Sequence, residues 1–292
     1  MADFAYHWVD AFTDRPFGGN GCAVVHAAAH LDVETCLAFT RETSLVECTF
    51  LGPSDVADIR VRYFLASREI PFAGHPTVAS VLAAHAAGTI GTGDLTLETL
   101  AGIIPVNLSE DGKRVTMRQI APVFGPLVDK DLAAAAIGLR AEDIVAPPQY
   151  VSTGLPFIIT PLRDRVALSC AALNAAAVQE MNESLGDFGA DVMEPFLTSL
   201  GGFTEDGDTY SRLLLLPPSP AEDPFTGSAT GAMASYLWHH GLIETPEFVA
   251  EQGHGMGRPG RAEVRVLGPR DAIEGVEVAG NGHILMSGTL HL

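Results

Sequence analysis

The sequence predicts an α+β fold built from two similar halves, with strands in the majority and one long apolar helix in each half. Two observations carry this prediction. Residues 69–88 and 222–241 agree at seven of 20 ungapped positions, where about one identity is expected from average composition. The rest of the chain consists of short β-prone runs separated by Gly, Pro and Asn turn signals. A repeat of this length indicates two copies of one structural unit.

Both copies of the repeat have the same layout. An acidic residue and a proline precede a turn of small residues, and an Ala-rich apolar run then closes on Gly. The pattern predicts helices over residues 75–87 and 229–240. Their first turns would offer free backbone N–H groups at the positive end of the helix dipole. We expect the two N-termini to face one cleft and bind a small anion there; the alternative is two ordinary buried helices that begin at Gly turns.

The composition permits two domains and argues against several functions. The 292 residues are 47% hydrophobic and 18% charged, which is enough to bury a core in each half. No apolar run reaches the roughly 18 residues of a membrane span, and the first residues lack the features of a signal peptide, so we expect a cytoplasmic protein. A net charge of −19 argues against nucleic acid and anionic membrane as partners, because both need a basic surface.

The residue types predict neither a cofactor nor a metal. The four cysteines form no CxxC pair and the ten histidines form no HExxH motif. The two lysines, Lys113 and Lys130, stand in polar turns, which argues against a Schiff-base or pyridoxal-phosphate enzyme. The glycine-rich run 253–260 lacks the βαβ context of a nucleotide-binding loop.

The first half is predicted to consist mainly of strands, at residues 4–12, 22–26, 58–65, 95–97, 103–108 and 115–117. Asp32 is a candidate N-cap for a helix that runs to about Thr40. The run 44–51 is apolar and β-prone on both sides of one carboxylate, Glu47. A Glu in such a run is costly to bury, so it either faces water on an edge strand or takes part in chemistry.

Residues 121–126, with two prolines and a glycine, are the candidate linker between the halves. The second half is predicted to contain additional helices at 131–139 and 173–181. Its predicted strands lie at 150–160, 166–169, 210–216, 261–267, 275–279 and 283–290.

Four motifs follow one another along the chain: DAFTDRPFGGNGCAVV (10–25), LVECTFL (45–51), EIPFAGHPT (69–77) and EDPFTGSATGAMASYL (222–237). With a weaker fifth, QGHGMGRPG (252–260), they span nearly the whole chain and resemble the PhzF family of phenazine-biosynthesis-type isomerases. The resemblance implies a diaminopimelate-epimerase-like fold, in which two similar domains each wrap a sheet around a central helix. The domains would cover 1–120 and 127–280, with a last strand at about 281–292 that returns to the first domain. The resemblance also implies a homodimer.

The resemblance further implies a set of site residues. The catalytic glutamate of the family falls on Glu47. The pocket residues of the family fall on Gly74, His75, Asp223, Gly227 and Ser228. Three neighbouring residues, Val46, Cys48 and Phe225, differ from those most common in the family, and these differences leave the substrate open.

The reaction implied is the transfer of a proton between carbons of a small unsaturated or cyclic carboxylic acid without a cofactor, as in trans-2,3-dihydro-3-hydroxyanthranilate isomerase. Glu47 would take the proton, and partial burial would make it a stronger base than a solvated Glu. His75 would bind a substrate oxygen or relay a proton; alternatively, it caps its own helix. Asp223 would bind an amino or hydroxyl group, or else complement the helix dipole. Ser228, with N–H groups near Gly74 and Gly227, would bind the carboxylate.

Two other functions stay open. A cofactor-independent amino-acid racemase of the same superfamily would use two cysteines, one near the start of each central helix, and residues 73–75 and 226–228 contain none. A non-catalytic anion-binding protein would keep the helix N-termini, but the joint presence of Glu47, His75 and Asp223 argues against it. Asn20 is interpreted as a turn residue rather than a ligand.

Overall fold

The computed structural model describes residues 2–192 and 194–292. The chain divides into two units. Unit 1 comprises Met1–Arg118, Pro218–Pro220 and Ala279–Leu292, and unit 2 comprises Gln119–Pro217 and Ala221–Val278. In the described ranges the longest helices have 13 residues, and no helix there could cross a membrane.

The elements of unit 1 are β1 (Asp3–Ala11), β2 (Asn20–Val25), α1 (Val33–Thr43), β3 (Glu47–Gly52), β4 (Ile59–Leu65), β5 (Glu69–Ile70), α2 (Gly74–Ala86), β6 (Gly93–Thr99), β7 (Gly102–Leu108) and β8 (Arg114–Gln119), which ends on the first residue of unit 2. The elements of unit 2 are β9 (Val123–Leu127), α3 (Lys130–Ala136), β10 (Gln149–Ser152), β11 (Pro156–Pro161), α4 (Arg165–Cys170), α5 (Ala175–Glu183), β12 (Phe196–Leu200), β13 (Thr209–Leu214), β14 (Glu222–Asp223), α6 (Gly227–His239), β15 (Glu247–Gln252) and β16 (Gly260–Leu267). Strand β17 (Gly275–His291) begins in unit 2 and continues into unit 1. Short 3₁₀ turns lie at Ala141–Asp143, Gly186–Asp191 and His254–Met256.

The strands of the two units pair in the same succession of directions. In unit 1, β1–β2 is antiparallel, β2–β3 parallel, β3–β4 antiparallel, β4–β6 parallel and β6–β7 antiparallel. In unit 2 the same succession joins β10–β11, β11–β12, β12–β13, β13–β15 and β15–β16. The short strands β5 and β14 pair antiparallel with β4 and β13 just before the long helices. The repeat in the sequence is therefore also a repeat in topology.

Each unit wraps its strands around one helix, as predicted. Helices α2 and α6 are buried over their first eleven residues. Both are apolar on every side, which is the pattern of a core helix rather than a surface helix. Helix α2 packs on β1, β2 and β3, and α6 packs on β10, β11, β12 and β16.

The acidic residue at the start of each repeat belongs to an arginine clamp. In unit 1, Arg62 binds both carboxylate oxygens of Glu69, each at 2.8 Å. In unit 2, Arg212 binds Glu222 in the same way, at 2.8 and 2.7 Å. The remaining guanidinium nitrogen of each arginine donates to two backbone carbonyls. The clamps therefore join β4 to β5 in unit 1 and β13 to β14 in unit 2, just before each central helix.

Two further identities in the repeat shape the ends of the central helices. The hydroxyls of Thr77 and Thr230 donate to the carbonyls four residues earlier. Gly88 and Gly241 follow the helices with φ of +71° and +67°. The N–H of the next residue donates to the carbonyl five residues earlier, which is a Schellman ending. This ending needs a left-handed residue, so Gly is the residue that fits without strain.

The structure corrects several predicted segments. Residues 121–126 are not a linker, because β9 begins there and pairs with β10. Residues 150–160 form two antiparallel strands, β10 and β11, with Gly154 at φ +136° in the turn between them. Residues 166–169 lie in helix α4, where Asp164 caps the first turn by accepting from the Ala167 N–H.

Three strands differ from the prediction in other ways. Strands β12 and β15 were not predicted, because β12 has few β-branched residues and β15 carries three polar residues in six. The two strands predicted at 275–279 and 283–290 are one, β17. Gly282 and His283 pair with Ala11 and Asp10 of β1, so the polar stretch at 281–283 does not end the strand.

Candidate active site

Glu47 lies on the face of the unit 1 sheet that covers α2. It is the first residue of β3, which runs between β2 and β4 and is not an edge strand. Side chains alternate along β3: Cys48 packs in the apolar cluster beside α1, whereas Thr49 accepts a hydrogen bond from Ser80 of α2 at 3.0 Å. Glu47 is only 8% exposed. The interpretation of Glu47 as a water-facing edge residue is therefore wrong.

Two polar side chains of unit 1 meet at His75, the second residue of α2. Its ring is buried, and its Nδ1 lies 3.4 Å from Glu47 Oε2. The same nitrogen lies 2.9 Å from Asn20 Nδ2. Gly74 precedes His75 as the first residue of the helix and is also buried. We call Asn20, Glu47 and His75 the Glu47 cluster.

Asn20 is a member of this cluster that the sequence interpretation missed. It is the first residue of β2 and 2% exposed, rather than a surface turn residue. The turn GGNG before β2 concealed this role, because Asn is common in turns for conformational reasons alone.

Three ionisable neighbours of Glu47, namely Cys22, Cys48 and Tyr63, keep their protons near neutral pH. Burial raises the pKa of the Cys48 thiol to about 11. Burial, with a contribution from the charge of Glu47, also raises the pKa of Cys22 and of Tyr63 well above their usual range. Neither thiol is therefore ionised enough near neutral pH to act as a base.

The N-termini of the two central helices differ from those of the other α-helices in the described ranges. Helices α1, α3, α4 and α5 begin at an Asp or Asn whose side chain accepts from the first turn. The N-cap residues of α2 and α6 are Ala73 and Thr226, and neither side chain makes such a cap bond. This arrangement suits helix N-termini that bind a ligand anion instead of a capping side chain.

The predicted site residues of unit 2 surround the start of α6. Asp223 ends β14, and Gly227 and Ser228 open the helix; all three are buried. The Asp223 carboxylate accepts from the Thr226 hydroxyl at 2.5 Å. Gln252 donates to the Asp223 carbonyl at 2.7 Å and accepts from the Thr226 N–H at 3.0 Å. The turn that carries Asp223 is therefore fixed by the end of β15.

Two glutamines were missed by the sequence interpretation. Gln252 begins the weak fifth motif, and its side chain holds the turn before α6. Gln119 donates to the Gly227 carbonyl at 2.9 Å and accepts from Thr153 at 2.5 Å. The motif could have drawn attention to Gln252, whereas no sequence signal marks Gln119.

Phe225, which differs from the smaller residue common in the family, is accommodated without exposure. Its side chain is fully buried. It packs against Gly260, where an added Cβ would come within 2.6 Å of the ring. The larger side chain thus fits because Gly stands opposite it.

No group of three or more His, Cys, Asp or Glu side chains within residues 2–192 and 194–292 is placed to hold a metal ion.

The sequence profile of the family described as "Phenazine biosynthesis-like protein" matches residues 9–288. The chain belongs to this family. It is 34% identical to "Uncharacterized isomerase YddE" of Salmonella typhimurium, over 96% of this chain and 95% of the relative. It is 31% identical to trans-2,3-dihydro-3-hydroxyanthranilate isomerase of Pseudomonas aeruginosa, over 98% and 99%. The protein is accordingly an isomerase of the PhzF family.

Solved structures identify the fold. A PhzF-family phenazine biosynthesis protein of Bacillus anthracis superposes with a TM-score of 0.86 at 27% identity, covering all of both chains. A hydroxyproline epimerase of Agrobacterium vitis has a TM-score of 0.68 at 13% identity, over 99% of this chain and 92% of that one, which shows a shared fold alone. The predicted diaminopimelate-epimerase-like fold is confirmed.

Proposed function

We propose that this isomerase moves a proton between two carbons of a small unsaturated or cyclic carboxylic acid, without a cofactor, and that Glu47 is its acid and base. The observation that carries the proposal is the nearly buried Glu47 carboxylate, 3.4 Å from His75 Nδ1. The Pseudomonas aeruginosa relative supports the substrate class, because the molecule in its name is a cyclic, unsaturated carboxylic acid.

In the proposed step, the ionised Glu47 takes a proton from a substrate carbon. The electron pair of that C–H bond enters the adjacent π system, and negative charge develops toward the substrate carboxylate. A proton then returns to another carbon of the same system, so that a double bond moves and no atom is gained or lost. A buried base held close to the carbon supplies both proximity and general base catalysis.

The other site residues bind the substrate in this proposal. His75 donates a hydrogen bond to a substrate oxygen. Ser228 and the N–H groups at Gly74 and Gly227 bind the carboxylate and stabilise its developing charge. Asp223 accepts from an amino or hydroxyl group of the substrate. The expected homodimer and cytoplasmic location also remain proposals, and light scattering on the purified protein tests the first.

The test is hydrogen–deuterium exchange in D₂O with trans-2,3-dihydro-3-hydroxyanthranilate and related cyclic dienoic acids. The wild-type enzyme should form product that carries solvent deuterium at carbon. Glu47→Gln keeps the shape but removes the proton acceptor, so turnover should fall by roughly 10³-fold or more, near the upper range for general base residues. Glu110→Gln, the same change on an exposed turn, is the matched control. Full deuterium uptake by Glu47→Gln would overturn the assignment.

A further inference from the structure

A buried glutamine docks against the start of the second central helix. Gln119 is 3% exposed, and its Nε2 lies 2.9 Å from the carbonyl oxygen of Gly227, the first residue of α6. A carbonyl oxygen can only accept a hydrogen bond, so the amide must turn its N–H toward this atom. The Thr153 hydroxyl completes the arrangement by donating to Gln119 Oε1 at 2.5 Å.

Helix α6 has a notch that admits this side chain. A Cβ added at Gly231 would overlap the Gln119 amide. The matching residue of α2 in the sequence repeat is Val78, so the first copy of the repeat lacks this glycine. The fold that the two units share therefore does not require the notch, which indicates a role particular to the start of α6.

The hydrogen bond from Gln119 acts on the N–H group of Ser228. The Gly227 carbonyl and the Ser228 N–H belong to one planar peptide group. The carbonyl of the first residue of a helix also accepts from the N–H four residues on, and its two lone pairs leave room for a second donor. Hydrogen bonds in a chain polarise one another. A donor at the carbonyl therefore makes the N–H at the other end of the peptide group a stronger donor.

The side chain of Ser228 also points to a ligand at this place. Ser228 is 6% exposed, and its hydroxyl forms no hydrogen bond with the described residues. A buried hydroxyl without a partner is unfavourable unless a bound molecule supplies one. The first turn of α6 also has no capping side chain. The start of the helix therefore suits an acceptor group such as a carboxylate.

We propose that Gln119 is a positioning residue, which fixes and polarises the Gly227–Ser228 peptide group so that the Ser228 N–H binds the substrate carboxylate more strongly. The polarisation is a property of the resting protein. The gain in binding rests on the proposed function, in which the carboxylate lies at Ser228.

Amide NMR of the whole protein without ligand tests the polarisation. Gln119→Met keeps the length of the side chain but cannot donate, so the Ser228 amide nitrogen signal should move upfield while that of Ala229 changes little. Thr153→Val removes only the donor to Gln119 and should move the Ser228 signal in the same direction by less. This second variant carries the test if Gln119→Met fails to fold.

Gln149→Met is the matched control, because Gln149 Nε2 also donates to a glycine carbonyl, that of Gly125, at 3.0 Å. It should leave the Ser228 signal in place. A Ser228 signal that neither test variant moves overturns the proposal. Equal movement of the Ser228 and Ala229 signals also overturns it, because that is the result of a displaced helix.

Calorimetry with anthranilate as the probe tests the gain in binding. Gln119→Met should weaken the affinity by about threefold, since cooperative strengthening is a fraction of one charge-assisted hydrogen bond. Gln149→Met should bind as the wild type does. An affinity that is unchanged in Gln119→Met but lowered in Ser228→Ala overturns this part of the proposal. An affinity unchanged in both, beside a shifted amide signal, would instead refute the carboxylate site of the proposed function and leave the polarisation intact.

Discussion

Glu47 and Cys48 are consecutive residues of β3, and the alternation of the strand directs them to opposite faces of the sheet. Glu47 faces α2 beside a buried histidine. Cys48 packs in the apolar cluster with α1, and its Sγ shares a hydrogen bond with the Thr43 hydroxyl at 3.3 Å. Burial raises the pKa of Cys48 to about 11, so its thiolate is scarce at neutral pH. A racemase mechanism with a thiol base therefore receives no support from either the position or the ionisation of Cys48.

Cys48→Ala should lower stability but keep most of the activity. The substitution leaves a small cavity in a packed cluster, which is expected to cost about 1–2 kcal/mol of unfolding free energy. Urea denaturation and the deuterium exchange assay measure the two effects on one preparation. Iodoacetamide treatment of the folded protein should leave activity unchanged at this buried thiol. An inactive Cys48→Ala together with an active Glu47→Gln would reverse the assignment of the base.

Ser228→Ala should weaken the binding of a carboxylate ligand. The hydroxyl sits in the first turn of α6, where the N-cap residue supplies no side-chain bond. Loss of one hydrogen bond to a charged group is expected to cost about 1–3 kcal/mol, measured by calorimetry with anthranilate as the probe. Ser235→Ala, two turns further along the same helix, removes only a bond to the Gly231 carbonyl and serves as the control. Equal affinities for wild type and Ser228→Ala would place the anion elsewhere.

At the scale of elements, the arginine clamps connect the strands to the central helices. Each clamp buries most of an arginine and a glutamate: the exposed side-chain fractions are 11% and 16% in unit 1 and 17% and 13% in unit 2. Bidentate geometry and the two carbonyl bonds satisfy the guanidinium. The clamp in each unit therefore helps to fix the direction in which the chain enters its helix, and with it the position of the first turn.

Glu222→Gln should destabilise the protein because it leaves Arg212 without its counter-charge. The expected loss is about 3 kcal/mol of unfolding free energy, the low end for removing one partner of a buried ion pair. The pair Arg265–Glu277 on β16 and β17 offers a matched control, since it is more exposed. Glu277→Gln should cost about 1 kcal/mol or less. Chemical denaturation of both variants at one pH makes the comparison, and equal losses would contradict the role given to the clamp.

Much of the fold could be predicted from the sequence, because the signals were local or repeated. The repeat marked both central helices, and Asp32 marked the start of α1, where its side chain accepts from the Thr35 N–H. The second half was harder, since the run at 166–169 fits a strand or a helix equally and only the cap at Asp164 decides. Of the site, Glu47 and His75 could be named from motifs. Their contact with each other, and that of Asn20 with His75, depend on the pairing of β1, β2 and β3, which no short stretch of sequence specifies.

For the whole molecule, acid should weaken the folded state through a histidine pair in unit 1. His7 Nδ1 and His26 Nε2 lie 2.7 Å apart. Burial, and then the neighbouring His7, lower the pKa of His26 from 6.5 to about 4, and burial also lowers the pKa of His7. Between pH 4 and 6.5 the unfolded chain therefore binds more protons than the folded one. The free energy of unfolding should therefore be highest above pH 6.5, and it should decrease as the pH falls from 6.5 to 4.

Unfolding free energies from urea titrations at several pH values check this prediction. Wild type should lose stability between pH 6.5 and 4, and His26→Gln should show a flatter dependence. His30→Gln, an exposed neighbour, should keep the wild-type slope. A slope that His26→Gln leaves unaltered would show that other groups take up the protons.

Strand β17 has a consequence for the order in which the protein can be made. Every residue of β1 pairs with a residue of β17. Residues 279–291 leave the ribosome only after all of unit 2 has been translated, so unit 1 cannot finish folding first although its chain begins first. During that interval one edge of β1 offers unpaired N–H and C=O groups, which is the type of edge on which strands from other chains assemble. A nascent chain paused within unit 2 should therefore need chaperone protection at its N-terminal strand.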